Sequence, residues 1–257
     1  MSNSPIENGG FEGGRLWLFE TLPSTNDWAK SHLDMLRHGD AVRAVCQTAG
    51  RGRFDREWIS PAARGLTLSL VLDPLRIAPG CDARLTQAVA LAVRDLCANA
   101  GLDAWVKWPN DVAAGERKIA GLLAEKRSDV SLVVIGVGIN VNLARSDLAG
   151  HPWGPGATSL RIETGRDHDV AGIETQLMTH TARMVEEFRR GGAGWLAKAW
   201  AAHDRLRGRS IALQTSAGTV SGEYAGMSDS GDLLLKTREG ALQSFTAGDV
   251  TLRGPDA

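Results

Sequence analysis

The sequence predicts an α+β domain with a small β-barrel appended at its C-terminal end. Three observations carry this reading. Strand-like runs are interleaved with helix-period stretches up to about residue 205. Residues 83–100 place Leu85, Val89, Ala92 and Leu96 on one face of a helix. From Arg209 onward the texture changes to short strand-like runs separated by Gly, Asp and Ser turns.

In chain order, residues 1–14 are polar and glycine-rich and read as a flexible leader. Residues 15–20 (RLWLFE) alternate and suit a strand. Ser24-Thr25-Asn26-Asp27 opens a helix, with Ser24 or Thr25 as N-cap and an acid in the first turn. Trp28, Ala29, Leu33 and Leu36 follow at helical spacing. Residues 41–47 suit a short strand, and residues 48–60 (TAGRGRFDREWIS) have no period and read as a loop. Residues 65–72 (GLTLSLVL) form the strongest strand signal, and 104–107 a strand running into the turn Trp108-Pro109-Asn110-Asp111. Residues 119–125 and 131–138 read as a neighbouring antiparallel pair, 140–159 as a Gly- and Pro-rich loop, and 170–190 and 194–203 as two helices. The barrel strands fall at 211–214, 220–224, 233–236 and 242–246. The predicted organisation is a leader (1–14), a main domain (15–205) and a barrel (206–257).

Composition narrows the function classes. The chain has 257 residues, 43% hydrophobic and 23% charged, as expected of a soluble domain with a full core. Lys plus Arg (29) balance Asp plus Glu (30), so a protein that holds nucleic acid by charge alone is disfavoured. Cys46, Cys81 and Cys97 are scattered and lack the spacing of a zinc or CxxC site. No basic start with an apolar run marks a signal peptide, and no apolar stretch approaches the ~20 residues of a membrane span. A cytoplasmic location is expected.

Four segments carry chemistry. In the loop, Gly50 and Gly52 permit close backbone approach to a ligand. Arg51, Arg53 and Arg56 present guanidinium groups suited to phosphate or carboxylate, and Trp58 offers a surface for a purine. A solvated loop or an RG-type nucleic-acid patch would look the same by composition. Asp111, after Pro109 and Asn110, suits Mg²⁺ accompanying nucleotide phosphates, or simply caps a turn. Lys118 opens an apolar strand, where its ammonium could face either a reacting carboxylate and phosphate or solvent. Gly138-Ile139-Asn140 ends a strand with room for close contact. No GxxxxGK[ST] phosphate loop occurs.

Taken in order, Ser24-Thr25-Asn26, Gln47-Thr48-Ala49-Gly50-Arg51-Gly52-Arg53, Lys107-Trp108-Pro109-Asn110-Asp111, Lys118-Ile119-Ala120-Gly121 and Gly138-Ile139-Asn140 resemble the biotin protein ligases. The resemblance runs from about residue 15 to the C-terminus. It implies a mixed sheet with packed helices of the class II aminoacyl-tRNA synthetase and biotin ligase type, plus an SH3-like barrel. It implies two steps: biotin and MgATP give biotinyl-5′-AMP, and the biotinyl group then passes to one lysine of a biotin carboxyl carrier domain.

By this likeness Ser24, Thr25, Asn26 and Gln47 meet the biotin head group, with Gly50 and Gly121 also on the biotin side. Arg51, Gly52 and Arg53 cover the biotinyl–phosphate junction. Lys118 touches carboxylate and α-phosphate, and with Arg51 and Asp111 forms the catalytic set. Asn110 and Asp111 serve ATP, with Asp111 toward Mg²⁺. Arg53, Arg56, Trp58, Asn140 and Arg253 complete the nucleotide site. ATP and Mg²⁺ are co-substrates, and no tightly bound prosthetic group is expected. The partner is the carrier domain of acetyl-CoA carboxylase or another biotin-dependent enzyme, with no DNA and no membrane, the ligase being a monomer or weak homodimer. Two departures stand out. Asp55 replaces a glycine usual in the loop. The motifs also begin within about twenty residues of Met1, where a DNA-binding domain of the kind many relatives carry has no room. The competing readings are a lipoate–protein ligase and an RNA-binding module.

Overall fold

The structure is a computed structural model that describes residues 5–54, 56–59, 61, 63–78 and 80–252. Its first part runs β1 (Leu16–Leu22), α1 (Thr25–Ser31), β2 (Ala41–Gln47), β3 (Gly65–Leu72), α2 (Pro74–Ile77), α3 (Asp82–Asn99), β4 (Ala104–Lys107), β5 (Asp111–Ala114), β6 (Arg117–Lys126) and β7 (Val133–Asn140). Then come α4 (Arg145–Leu148), α5 (Leu160–Thr164) and α6 (Val170–Ala201). The barrel strands are β8 (Ser210–Thr215), β9 (Gly218–Met227), β10 (Leu233–Lys236), β11 (Leu242–Phe245) and β12 (Asp249–Leu252).

The first seven strands form one sheet in the order β1-β2-β3-β7-β6-β5-β4. β1 and β2 are parallel and the remaining pairs antiparallel. Both faces are covered, which is why β3 is buried throughout. Its Leu66, Leu68, Leu70 and Leu72 point into the main core with the α3 stripe Leu85, Val89, Ala92 and Leu96, and with Leu177, Val185 and Phe188 of α6. Its alternate residues Thr67, Ser69 and Val71 face the other way, Val71 joining Trp17, Ala29, Leu33 and Val134 under α1. Each buried leucine contributes about 2 kcal/mol. A surface pair such as Arg127–Asp34 contributes about 0–1 kcal/mol. The helical face of the sheet therefore sets stability, and the α1 face is left for the site.

Local signals explain the helix ends. Ser24 caps α1 by accepting from Asp27 N at 3.3 Å, and Asp169 caps α6 by accepting from Ala171 N and Gly172 N. The two helices expected after residue 170 are one element broken at Gly192, whose φ of 63° and ψ of −158° no helix accommodates.

Several expectations need correcting. Within the expected leader, Phe11 and Gly14 are buried: Phe11 is 2% exposed and donates its N–H to Gly39 O, and the exposed Ile6 bridges Leu16. An isolated aromatic in a glycine-rich stretch carries no periodicity, so its burial left no trace in the pattern. α1 stops at Ser31 although the apolar spacing continues, because Leu33 and Leu36 reach the same core from turns. Asp111 opens β5 instead of closing a turn.

The C-terminal strands form a five-stranded antiparallel sheet ordered β11-β10-β9-β8-β12, one strand more than the sequence pattern suggested. Its inward residues Ile211, Leu213, Tyr224, Leu233, Leu235 and Val250 are continuous with the main core. The β9–β10 turn is also fastened: Gln87 Nε2 and Trp108 Nε1 both donate to Gly231 O, at 2.7 and 3.0 Å. Among the described residues no helix is long and apolar enough to cross a membrane.

Candidate active site

Strand register builds the floor. Thr67, Gly138, Gly121, Asp111 and Lys107 stand side by side across β3, β7, β6, β5 and β4. Ser69, Gly136 and Leu123 form the adjacent row. Direct cross-strand partners share a face, here the face α1 leaves partly open. Except for Ser69, all these residues line one cavity of about 890 Å³. The same cavity is lined by Ser24, Thr25, Asn26, Gln47, Arg51, Gly52, Arg53, Arg56, Trp58, Asn110, Lys118 and Asn140. The dispersed motifs therefore converge on one place.

One wall is a polar network. Gln47 Oε1 accepts from Thr25 N at 2.8 Å and from Thr25 Oγ1 at 3.0 Å. Ser69 Oγ lies 2.8 Å from Thr25 Oγ1 and 2.6 Å from Asn26 Oδ1. Asn26 Nδ2 donates to Leu123 O at 3.1 Å and to Glu125 Oε2 at 2.8 Å. Gly136 makes room for this amide, since a Cβ there would stand 2.6 Å from Asn26 Oδ1.

The glycine- and arginine-rich segment, expected as a loop, has the stem of a short hairpin in its described residues 50–52 and 56–58. Trp58 N donates to Gly50 O at 2.9 Å, Arg51 bridges Glu57, and Gly52 N donates to Arg56 O at 2.6 Å. Gly50 is required for this closure, because a Cβ there would come within 2.4 Å of Trp58 O. The arginines serve different anchors. Arg51 Nη2 pairs with Asp27 at 2.5 Å and Glu125 at 3.1 Å, at the edge of the cavity. Burial works against its charge, but Glu125 and Asp27 outweigh that and hold its pKa above the ordinary value. Arg53 Nη1 donates to Gly248 O at 3.0 Å and reaches Asn110 Oδ1 at 3.4 Å. Its burial pushes the guanidinium pKa down, against the pull of Asp249 and Asp111. Arg56 pairs with Asp249. Two of the three arginines thus tie the hairpin to the barrel.

The centre of the cavity holds Lys118. Its Nζ lies 2.6 Å from Asp111 Oδ1 and 5.6 Å from the Trp58 ring centroid. The contact lacks hydrogen-bond geometry, so that buried carboxylate oxygen has no hydrogen-bond partner. Lys118 curls over Gly121, and Trp58 lies on Gly138 and Gly121, where side chains would collide with the indole. Asn140 Nδ2 donates to Thr158 O at 2.9 Å, tying the end of β7 to the following loop. Asn110 is anchored to Leu122 through both its side-chain amide and its backbone carbonyl. Arg253 and Asp55 lie outside the described residues.

Chemically, this is a site with a directional hydrogen-bonding wall, a central ammonium–carboxylate pair and cationic cover. It suits a neutral polar head group followed by an anionic junction. Sequence reasoning missed Glu125, Asp27, Ser69 and Lys107, and also His151 and Trp153, which line the cavity from the loop after β7. Period two along β6 puts Glu125 on the face of Gly121 and Leu123, a signal that could have revealed it.

A family model described as the biotin/lipoate A/B protein ligase family matches residues 18–142, and a model of the biotin protein ligase C-terminal domain matches residues 207–253. The biotin–[acetyl-CoA-carboxylase] ligase of Paracoccus denitrificans is 35% identical over 220 residues, covering 83% of this chain and 90% of that relative. The bifunctional ligase/repressor BirA of Bacillus spizizenii is 34% identical over 83% of this chain, which spans 66% of that relative's length. Among solved structures, the biotin protein ligase from Aquifex aeolicus in complex with biotin and ATP superposes with a TM-score of 0.80 at 26% identity, covering 93% of this chain and 98% of that one.

Proposed function

Because the chain belongs to the biotin/lipoate A/B protein ligase family, we infer that it is a biotin protein ligase: it activates biotin with ATP and transfers it to a lysine of a biotin carboxyl carrier domain. The observation that carries this reading is one cavity joining the wall at Thr25, Asn26 and Gln47 to the Lys118–Asp111 pair.

In the first step a biotin carboxylate oxygen attacks the α-phosphorus of ATP and pyrophosphate leaves. Two anions must meet, so the barrier is largely electrostatic. Lys118 supplies positive charge at the junction. Thr25, Asn26 and Gln47 fix the head group, with Ser24 capping the helix that carries the first two and Gln47 ending β2. The floor glycines Gly121 and Gly138 let Lys118 and the Trp58 indole lie close over the sheet, where they meet the ligand. Asn110 and Arg53 hold the nucleotide side, and the purine stacks on the open face of Trp58. Asn140 acts by fixing the loop that flanks the nucleotide. Asp111 is the carboxylate that a Mg²⁺ travelling with ATP would meet; it is paired with Lys118, so phosphate oxygens would have to supply most of the ion's shell. Bound there, Mg²⁺ would neutralise phosphate charge.

In the second step the acceptor lysine, having lost its ammonium proton, attacks the acyl carbon through Nζ. AMP leaves with the electrons of the acyl–oxygen bond, and the nitrogen sheds a second proton to give the amide. Until then the mixed anhydride needs shelter from water. The Gly50–Trp58 hairpin provides it, anchored on one side by Arg51 and on the other by Arg53 and Arg56. We assign residues 15–205 to activation and 206–257 to the barrel; the family-model matches support the parts 18–142 and 207–253 of that division. The name of the Paracoccus relative supports the acetyl-CoA carboxylase carrier domain as acceptor.

The test offers labelled biotin and labelled lipoate side by side, with ATP and a carrier domain. Labelling by biotin alone is expected. Labelling by lipoate alone overturns the assignment.

A further inference from the structure

We propose that Glu125 is a positioning residue that sets the hydrogen-bonding polarity of the head-group pocket and latches the hairpin through Arg51. The inference rests on the biotin ligase reading and deepens it.

The Asn26 amide is fixed in one orientation by its neighbours. Its Nδ2 faces two groups, Leu123 O at 3.1 Å and Glu125 Oε2 at 2.8 Å. A carbonyl and a carboxylate only accept, so both amide protons are committed to them. The opposite orientation would set the Asn26 carbonyl against a carboxylate. Asn26 Oδ1 is thereby turned toward Ser69 and lies against the cavity-lining Gly136. Beside it, Gln47 Oε1 accepts from Thr25. Gln47 Oε1 is thus already engaged by both Thr25 donors, and the acceptor the wall holds ready is Asn26 Oδ1, whose natural complement is a head group that donates N–H. A cyclic urea donates two N–H groups, whereas a dithiolane donates none. A site built on hydrogen bonds discriminates strongly against an analogue that lacks them.

The other oxygen of Glu125 looks outward. Glu125 Oε1 accepts from Lys30 Nζ at 2.6 Å, and both oxygens lie 3.1 Å from Arg51 Nη2. The contacts close a ring: Arg51 to Glu125, to Asn26, to Ser69, to Thr25, to Gln47, which precedes Arg51 by four residues on the same segment. Burial alone would raise the Glu125 pKa, but hydrogen bonds from Lys30 and Asn26 and the charges of Lys30 and Arg51 outweigh it and hold it below the ordinary value. The group remains a pure acceptor at neutral pH. One carboxylate therefore couples pocket polarity to closure of the hairpin.

Two variants separate these roles. Glu125→Gln keeps a carbonyl for Asn26 but removes the charge that holds Arg51. Glu125→Ala removes both. Biotin KM from ATP–pyrophosphate exchange and the escape rate of biotinyl-AMP are measured for each, with thermal melting alongside. For Glu125→Gln we expect biotin KM within about threefold of wild type and escape at least fivefold faster. For Glu125→Ala we expect KM at least tenfold higher as well. Both quantities within twofold of wild type in Glu125→Gln and Glu125→Ala would overturn the proposal. So would a KM in Glu125→Gln as high as in Glu125→Ala, because charge alone would then explain everything. If Glu125→Ala does not fold, the isosteric Glu125→Gln decides the question alone: unchanged escape sinks the latch, and a tenfold rise in KM sinks the orienting role. Wild-type protein that exchanges pyrophosphate with lipoate and not biotin removes the underlying reading, a result distinct from any variant effect.

Discussion

The Trp58 indole lies so close to Gly138 that a methyl group built on that glycine would stand 2.3 Å from the ring. Gly138 is thus a seat for the aromatic ring. Gly138→Ala should unseat Trp58 while leaving the β3–β7–β6 ladder intact. The expected result is a KM for ATP raised at least tenfold, about 1.4 kcal/mol, with a melting temperature close to wild type. Unchanged ATP kinetics would mean the indole shifts at no cost.

Lys118 is the ammonium at the centre of the cavity, 2.6 Å from Asp111. Lys118→Ala should lower ATP–pyrophosphate exchange by a factor on the order of 10²–10³, as loss of a transition-state charge partner does elsewhere. Near-normal exchange would falsify its central role.

Gly50 closes the hairpin. Gly50→Ala places a Cβ 2.4 Å from Trp58 O and 2.9 Å from Gln47 Nε2. Relieving that overlap typically costs about 1–3 kcal/mol. The stem should open, so biotinyl-AMP should escape faster and the tryptophan emission should shift to the red. A variant that retains the intermediate as wild type does would show the stem is dispensable.

Glu125 also predicts a pH dependence of stability. Its pKa is lower in the folded protein than in the unfolded chain, the Lys30, Asn26 and Arg51 contacts outweighing the opposing effect of burial. The unfolded state therefore binds its proton more readily. Its contribution is fully present above the ordinary glutamate value and is lost as pH falls through the folded value. Urea melts from about pH 7 down to about pH 3 should show wild type losing more stability than Glu125→Gln. Parallel pH profiles for the two proteins would count against that contribution.

Much of this was legible in residue order. Strand β3 and strands β4 and β10 fall where periodicity places them, because each buries a regular side-chain pattern. The helix break was visible as two stretches around Gly192. Most of the site residues singled out by motif line one cavity. What the sequence hid is non-local. Arg51 looked like an anion-binding group, yet its partners are Asp27 and Glu125, and Glu125 lies 74 positions away. Arg53 and Arg56 reach Gly248 and Asp249 across nearly the whole chain. Such partners depend on strand register and on how the barrel docks, which no local pattern encodes. The hairpin was missed because glycine and arginine carry no alternation, although its cross-strand bonds are regular.

The shared core of the two sheets has a mechanical consequence. Tyr224, Leu233 and Leu235 pack in the same apolar cluster as Trp108 and Trp200, and Gly231 is pinned by Gln87 and Trp108. A barrel set this way is a fixed post, and swinging it aside would expose buried leucine and tryptophan. Gly248 and Asp249 are cleats on that post. A hairpin that opened would part from these cleats at Arg53 and Arg56, a strap leaving its mooring while the post stays still.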